Sequence, residues 1–170
     1  MFVDFKSAYD LVSRNILIQK LLSMKIPKKI VQSIRDFLCQ RFISVRYQGF
    51  YSSYKQVKRG LPLGSISSTT LFNIMINDLC QTLKKIPGIE VVLNADDLAI
   101  IFSNQNKEEI EKKLNKALES LNEWTVKNEM VINQEKTKFQ IFSMSNTIKT
   151  LNLKLNGTSL LQGESPSWQR

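Results

Sequence analysis

The period of apolar and polar positions changes several times along this chain, and each change marks an element. VVLNADDLAIIF, from Val91 to Phe102, sets two apolar, β-branched-rich runs around a short polar centre. That pattern predicts a tight hairpin, with strands that bury side chains and a turn that does not. Met1 to Phe5 is a short apolar run reaching Asp4, read as the end of a strand, and a strand so near the first residue is expected to fray. Ile16, Leu17, Leu21 and Leu22 repeat at helical spacing behind Ser13 as N-cap. Ile30, Val31, Ile34, Phe37 and Leu38 predict a second helix with Pro27 in its first turn. Arg41 to Gln48 alternates around Phe42, Val45 and Tyr47, Gly49 breaks the pattern and Tyr51 to Lys58 resumes it, which predicts another hairpin. GLPLGS, Gly60 to Ser65, is a loop whose glycines permit backbone shapes or approaches that a side chain would block. A largely buried helix follows over Ile66 to Leu83. Asn106 and Glu109 form a capping box before the stripe Ile110, Leu114, Ala117, Leu118, Leu121 and Trp124. Met130 to Ile132, Phe139 to Met144 and Leu151 to Leu155 read as strands, with Asn156-Gly157 as a turn. The tail 162–170 has no period and is expected to be disordered.

Composition narrows the class. A length of 170 residues suits one domain, assigned here to 1–161, and 42% hydrophobic with 23% charged residues is ordinary for a globular protein. No apolar stretch is long enough to span a membrane and no leader pattern is present, so an intracellular location is expected, nucleus or cytoplasm undecided. Cys39 and Cys80 are too few for a disulfide framework and are read as small core residues. His is absent, which removes imidazole general bases and the commonest zinc ligand. Lys and Arg number 24 against 15 Asp and Glu, a net charge of +9, which suits a polyanionic partner. The basic residues Arg41, Arg46, Lys55, Lys58 and Arg59 fall within one predicted hairpin, where cations also protect exposed strand edges.

The acidic residues carry the candidate chemistry. Asp96 and Asp97 stand side by side at the hairpin tip, and two unit charges about 4 Å apart repel by roughly 4 kcal/mol at an effective dielectric near 20 unless a cation offsets them. Asp and Asn also favour turns for their local hydrogen bonds, and a polar tip on that account needs no metal. Asp4 ends an apolar run. Three carboxylates from two segments could bind a pair of divalent ions with positions open to phosphates, the arrangement that serves in-line displacement at phosphorus.

At these residues the sequence resembles the reverse transcriptases, most closely those of non-LTR retrotransposons. VDFKSAYDLVSRNILIQKL, Val3 to Leu21, is similar to the family's first catalytic motif, and RGLPLGSISSTTLFNIMINDL, Arg59 to Leu79, to its Gly-x-Pro-Gln-Gly-Ser segment and Leu-Phe-Asn helix. Val92 to Ile100 resembles the Tyr-Ala-Asp-Asp hairpin, and Trp124 to Phe142 the Trp, Asn and Lys-Thr-Lys block. The resemblance implies an α+β polymerase palm, an antiparallel sheet backed by helices, with part of the fingers and no complete thumb. It implies that Asp4 and Asp96 hold two Mg2+ ions, with Mn2+ also possible, that Asp97 belongs to the same cluster, and that the carbonyl of Phe5 is a further metal contact. Tyr9 matches the aromatic beneath the incoming sugar that excludes a 2′-hydroxyl. Gly64 and Ser65 match the loop near template and nucleotide, and Lys136 a basic residue near the nucleotide phosphates. The implied partners are an RNA template, a DNA primer, dNTPs and the fingers, thumb or endonuclease regions of a longer polyprotein, with no membrane.

Three positions depart from the pattern. Leu63 stands where the family has Gln, Asn94 replaces the aromatic of Tyr-Ala-Asp-Asp, and Ser68-Thr69 stands for Ser-Pro. These, with the missing upstream segments, motivate a second reading: a degenerate or co-opted remnant that binds nucleic acid or protein without catalysis. A third is a metal-independent structural protein whose acidic turn is incidental.

Overall fold

Among the described residues, four helices and eleven short strands follow the changes of period along the sequence. The computed structural model describes residues 1–143 and 150–163. In chain order the elements are β1 (Phe2–Val3), α1 (Arg14–Ser23), α2 (Lys28–Leu38), β2 (Phe42–Ile43), β3 (Arg46–Tyr47), β4 (Phe50–Tyr51), β5 (Lys55–Gln56) and α3 (Ile66–Leu83), followed by β6 (Glu90–Asn94), β7 (Asp97–Ile101), α4 (Lys107–Asn128), β8 (Lys138–Phe139), β9 (Lys154–Leu155), β10 (Thr158–Ser159) and β11 (Leu161–Gln162). They group into two compact units. One comprises Met1–Lys6 and the chain from Asn77 onward, the other Ser7–Ile76.

The first unit is built on a five-stranded sheet of order β11-β8-β1-β7-β6. All its pairings are antiparallel except β11 with β8, so the sheet is mixed where the sequence reading expects a purely antiparallel one. The reason is the returning chain: after β8 it makes the β9–β10 hairpin and re-enters beside β8 in the same direction, as parallel neighbours require. β11 also moves the expected boundary of the tail, because Leu161 pairs with Lys138, Gln162 with Phe139, and the Gly163 N–H donates to the Phe139 carbonyl at 2.7 Å. The rest of that tail, 164–170, lies outside the described residues, as does Met144 of the expected strand Phe139 to Met144.

β1 does not sit at an edge. The Met1 nitrogen donates to the Ile100 carbonyl at 2.9 Å and Ile100 N–H returns a bond to the Met1 carbonyl at 2.8 Å, so the ladder with β7 begins at the first residue. The fraying expected of this strand is thereby opposed. Val3, Leu98 and Ile100 are buried, as is the α4 stripe Leu114, Ala117, Leu118, Leu121 and Trp124. Phe5 meets the Trp124 ring edge-on, centroids 6.3 Å apart, and the indole N–H donates to Asp78 at 2.9 Å. The start of α4 departs from a capping box: the Asn106 side chain accepts from Glu108 N–H, and the Asn106 N–H goes to the Asn104 side chain. Glu109 lies near Lys113 instead, at 3.9 Å.

Burial of the Met1 amino group lowers its pKa from 8.0 to about 6. In a polypeptide with a free amino group at Met1, the unfolded chain therefore binds more protons than the folded one between those values. Stability is expected to rise across pH 6 to 8 by roughly 2–3 kcal/mol. Urea unfolding at both ends of that window measures the rise, and acetylating the amino group removes it.

The second unit packs α1 and α2 through Leu17, Ile18, Leu21, Val31 and Leu38, with Leu71, Phe72, Met75 and Ile76 of α3 also buried. Its hairpin is formed as the alternation predicts, but in two pieces: Phe42 pairs with Gln56 and Ile43 with Lys55, then Arg46 with Tyr51 and Tyr47 with Phe50. The cysteines correct the sequence reading. Cys39 is exposed just past the end of α2 and Cys80 is half-buried, where burial raises its thiol pKa. Among the described residues no helix is long and apolar enough to cross a membrane.

Candidate active site

The register of two strand pairs brings Asp4, Asp96 and Asp97 to one end of the sheet. Phe2 pairs with Ala99 and Val3 with Leu98, so Asp4 and Asp97 are the next residues along. Asp97 in turn pairs with Asn94, which leaves Ala95 and Asp96 as the two-residue turn. Ala95 takes φ 53°, a left-handed conformation that lets so short a loop follow the strand twist. Alternation then sorts the faces: Val3 and Leu98 point into the core, and Asp4 and Asp97 are turned away from it. Asp4 and Asp96 are half-buried and Asp97 is exposed.

The backbone of Asp4 is held by one turn of chain. Its N–H donates to Thr137 Oγ1 at 3.3 Å, and its carbonyl accepts the Asn133 N–H at 2.8 Å. Thr137 closes the turn on itself, donating to the Asn133 carbonyl from both its N–H (2.9 Å) and its hydroxyl (2.8 Å). Lys136 is exposed within that same turn. Phe5 forms an antiparallel bridge with Ile132 in which Lys6 N–H bonds the Val131 carbonyl. A bridge of this form turns the N–H and C=O of Phe5 itself to the opposite side, where β7 lies.

In the second unit, Tyr9 stacks on Phe72 with ring centroids 4.5 Å apart and planes 18° from parallel. Its carbonyl accepts the Leu61 N–H at 2.9 Å, and Gly60 N–H bonds the Val12 carbonyl at 2.8 Å. Gly60 has φ +79°, and a Cβ there would meet the Asp10 carbonyl oxygen at 2.7 Å, so this glycine is required both by conformation and by close approach. Gly60→Ala is expected to cost about 2 kcal/mol or more, read from thermal unfolding. Gly64 has φ +80° with open space around it, and Ser65 precedes α3, its N–H donating to the Pro62 carbonyl at 3.3 Å. The buried Ser68 hydroxyl also bonds that carbonyl, at 2.6 Å. Leu63 is 74% exposed on the loop.

Sequence reasoning missed Arg14. Its guanidinium donates to three backbone carbonyls, of Gly60 (2.9 Å), Val57 (2.8 Å) and Arg59 (2.9 Å), and so fastens the end of the hairpin to the start of α1. Burial, then the nearby Arg41, lowers its pKa. Thr137 and Asn133 lie in the Asn and Lys-Thr-Lys block of the resemblance, but their anchoring of the Asp4 backbone cannot be read from it. Nothing in a string marks a side chain whose partners are distant backbone carbonyls.

The family model for reverse transcriptase (RNA-dependent DNA polymerase) matches residues 1–159. The chain belongs to the reverse transcriptase family. It is 31% identical, over 140 residues, to an RNA-directed DNA polymerase from mobile element jockey of Drosophila funebris, a match covering 79% of this chain and 15% of that one. The Drosophila melanogaster protein of the same name is 25% identical over the same coverage. A Pol polyprotein from type-1 retrotransposable element R1 of Nasonia vitripennis is 32% identical over 78 residues, 46% of this chain and 19% of its own. The resemblance to reverse transcriptases of non-LTR type holds, and the chain spans less than a fifth of the length of these relatives.

Reverse transcriptases generally use divalent metal ions and act on nucleic acid and nucleotides. The donors at this sheet end are all oxygen, the ligand type of hard divalent cations. Among the described residues, however, no three His, Cys, Asp or Glu side chains are grouped closely enough to cage a metal by themselves. Magnesium asks for less, since one or two carboxylates with water and substrate phosphates suffice.

Proposed function

We propose that this chain is the palm region of an RNA-directed DNA polymerase, transferring nucleotidyl groups from dNTPs to a primer 3′-hydroxyl on an RNA template. The observation that carries the reading is the β1–β7 register, which pairs Val3 with Leu98 and so makes Asp4 and Asp97 the next residues along, beside the Ala95-Asp96 turn. Asp4 and Asp96 would hold two Mg2+ or Mn2+ ions, with Asp97 adding negative charge and the Phe5 carbonyl a neutral oxygen. Bound there, the ions supply activation of the attacking hydroxyl and neutralisation of charge on the triphosphate. Thr137 and Asn133 fix the Asp4 backbone by their hydrogen bonds. Lys136 offers its ammonium to the triphosphate from the same turn. Tyr9, immobilised by Phe72, presents a ring edge that disfavours a 2′-hydroxyl, and Gly64 and Ser65 admit template and nucleotide close to the backbone. Fingers, thumb and endonuclease regions would come from the longer polypeptide to which such a segment belongs.

The test is manganese binding by the chain of 170 residues, followed by electron paramagnetic resonance of the free ion. The reading expects saturable binding that Asp4→Asn or Asp96→Asn weakens by about a hundred-fold, and equal binding by those variants would overturn it. Metal binding without dNTP incorporation by the same chain would favour the non-catalytic remnant, for which Leu63 in place of Gln is the specific observation.

A further inference from the structure

We infer that the paired ribbons β2–β5 and β3–β4 form a second nucleic-acid surface, a platform on which the bases of a single strand stack. It draws on residues other than those of the carboxylate site.

Three observations carry it. First, both faces of the β3–β4 ribbon are open. Cross-strand neighbours share a face, so Tyr47 and Phe50 occupy one and Arg46 and Tyr51 the other. Their exposures run from 66% at Tyr51 to 81% at Phe50, and Tyr54 just beyond is 76% exposed. Aromatic residues normally supply the largest burial in a core, and a cluster of them left in water marks an interaction surface. Second, the surface carries charge of one sign. No Asp or Glu occurs between Asp36 and Asp78, while Arg46, Lys55 and Lys58 are exposed along the same ribbons. An apolar protein partner would leave those cations unpaired, whereas a polyanion pairs them. Third, the tip is preset. Gln48 at φ 47° and Gly49 at φ 86° form the two-residue turn, nothing stands within 4 Å of a Cβ built at Gly49, and Arg46 lies over the Tyr51 ring at 5.7 Å. That contact holds the guanidinium over Tyr51 where it can meet a phosphate, while Tyr47 and Phe50 on the other face of the ribbon offer their rings to bases.

Aromatic faces alternating with cations bind single strands without sequence preference, because every base has a π face and every nucleotide a phosphate. A duplex keeps its bases stacked on each other and reaches only the cations. The occupant is therefore a single-stranded nucleic acid, with RNA and DNA sharing the chemistry.

The test uses the chain of 170 residues with labelled oligouridylate, oligothymidylate and a duplex, each of about 20 nucleotides, titrated at several salt concentrations. Wild type should bind either single strand more tightly than the duplex. The double variant Tyr47→Ala, Phe50→Ala should weaken single-strand binding roughly ten-fold or more and leave the salt slope unchanged. Replacing Arg46, Lys55 and Lys58 by Gln should lower that slope by about 0.7 per cation. Tighter binding of oligouridylate than of oligothymidylate would assign the surface to RNA, and the reverse to DNA. Phe50→Trp, which keeps the ring, should retain affinity and show emission quenched by the oligonucleotide. That variant decides the matter if the alanine pair fails to fold. The alanine pair should bind manganese as wild type does, so loss of the metal site and loss of this surface are separately visible. Affinity weaker than about 10⁻⁴ M would overturn the inference and leave the ribbons to a polypeptide partner. Equal affinity for duplex, or an alanine pair within two-fold of wild type, would overturn it as well.

Discussion

Asp4→Asn and Asp96→Asn should each weaken manganese binding by about a hundred-fold and abolish nucleotide incorporation by any longer polypeptide that contains this chain. Removing an outer partner of a metal ligand typically costs 10- to 100-fold in affinity, and removing the ligand itself should cost no less. The ordering of variants is the sharper expectation. Thr137→Val deletes the hydroxyl that joins Asp4 N–H to the Asn133 carbonyl, and should lose about ten-fold while both carboxylates remain. Asp97→Asn should fall between wild type and Asp96→Asn, because Asp97 is exposed and better screened. Without metal, Asp96→Asn should leave the unfolding midpoint unchanged or slightly raised, since it removes one of two adjacent like charges. A large drop in stability would identify a structural aspartate instead. Titration of manganese alongside thermal unfolding separates the two.

Phe72→Ala carries the largest expected cost in stability, about 3–5 kcal/mol. Phe72 is fully buried in the second unit and supports Tyr9 by a stack at 4.5 Å. Truncation leaves a cavity and also removes the aromatic pair, worth roughly 0.5–1.5 kcal/mol beyond burial. Against a total of about 5–15 kcal/mol for an ordinary domain, much of the margin would go. Phe72→Leu should lose about half as much, as it refills part of the space. Urea unfolding gives both values, and the double-mutant cycle with Tyr9→Ala gives the stacking energy as its coupling. Where Tyr9 guards against ribonucleotides, Phe72→Leu should also relax sugar discrimination without touching a substrate.

What the sequence revealed of this fold follows from the range of the forces involved. The Val91 to Phe102 hairpin was legible because strand period and turn chemistry are local, and β6 and β7 flank Ala95-Asp96 as the alternation requires. Helix α3 spans Ile66–Leu83 as its apolar positions predict, and the Asn156-Gly157 turn takes φ 50° and 80°. The order of strands was not legible, since β11 joins β8 in parallel by contacts that no local pattern encodes. Met130 to Ile132 reduces to a single bridge at Ile132, because its pairing is set by the short reach of β1. Cys39 looked like a core residue on a helical stripe, but falls just after α2 ends at Leu38. Asp4, Asp96 and Asp97 were readable as chemistry from their type and neighbours, whereas Thr137 was visible only as part of the Lys-Thr-Lys block, and its tie to Asp4, 133 positions away, is set by the fold.

The central strand β1 draws its neighbours from far along the polypeptide. Met1 bonds Ile100, 99 positions away, and Asp4 bonds Thr137, 133 positions away. During synthesis the β1 segment emerges well before its partners and waits unpaired until residues 97–101 and 137–139 have been made. Closing loops of that length is slow, so sheet assembly around Asp4 should be among the last events of folding.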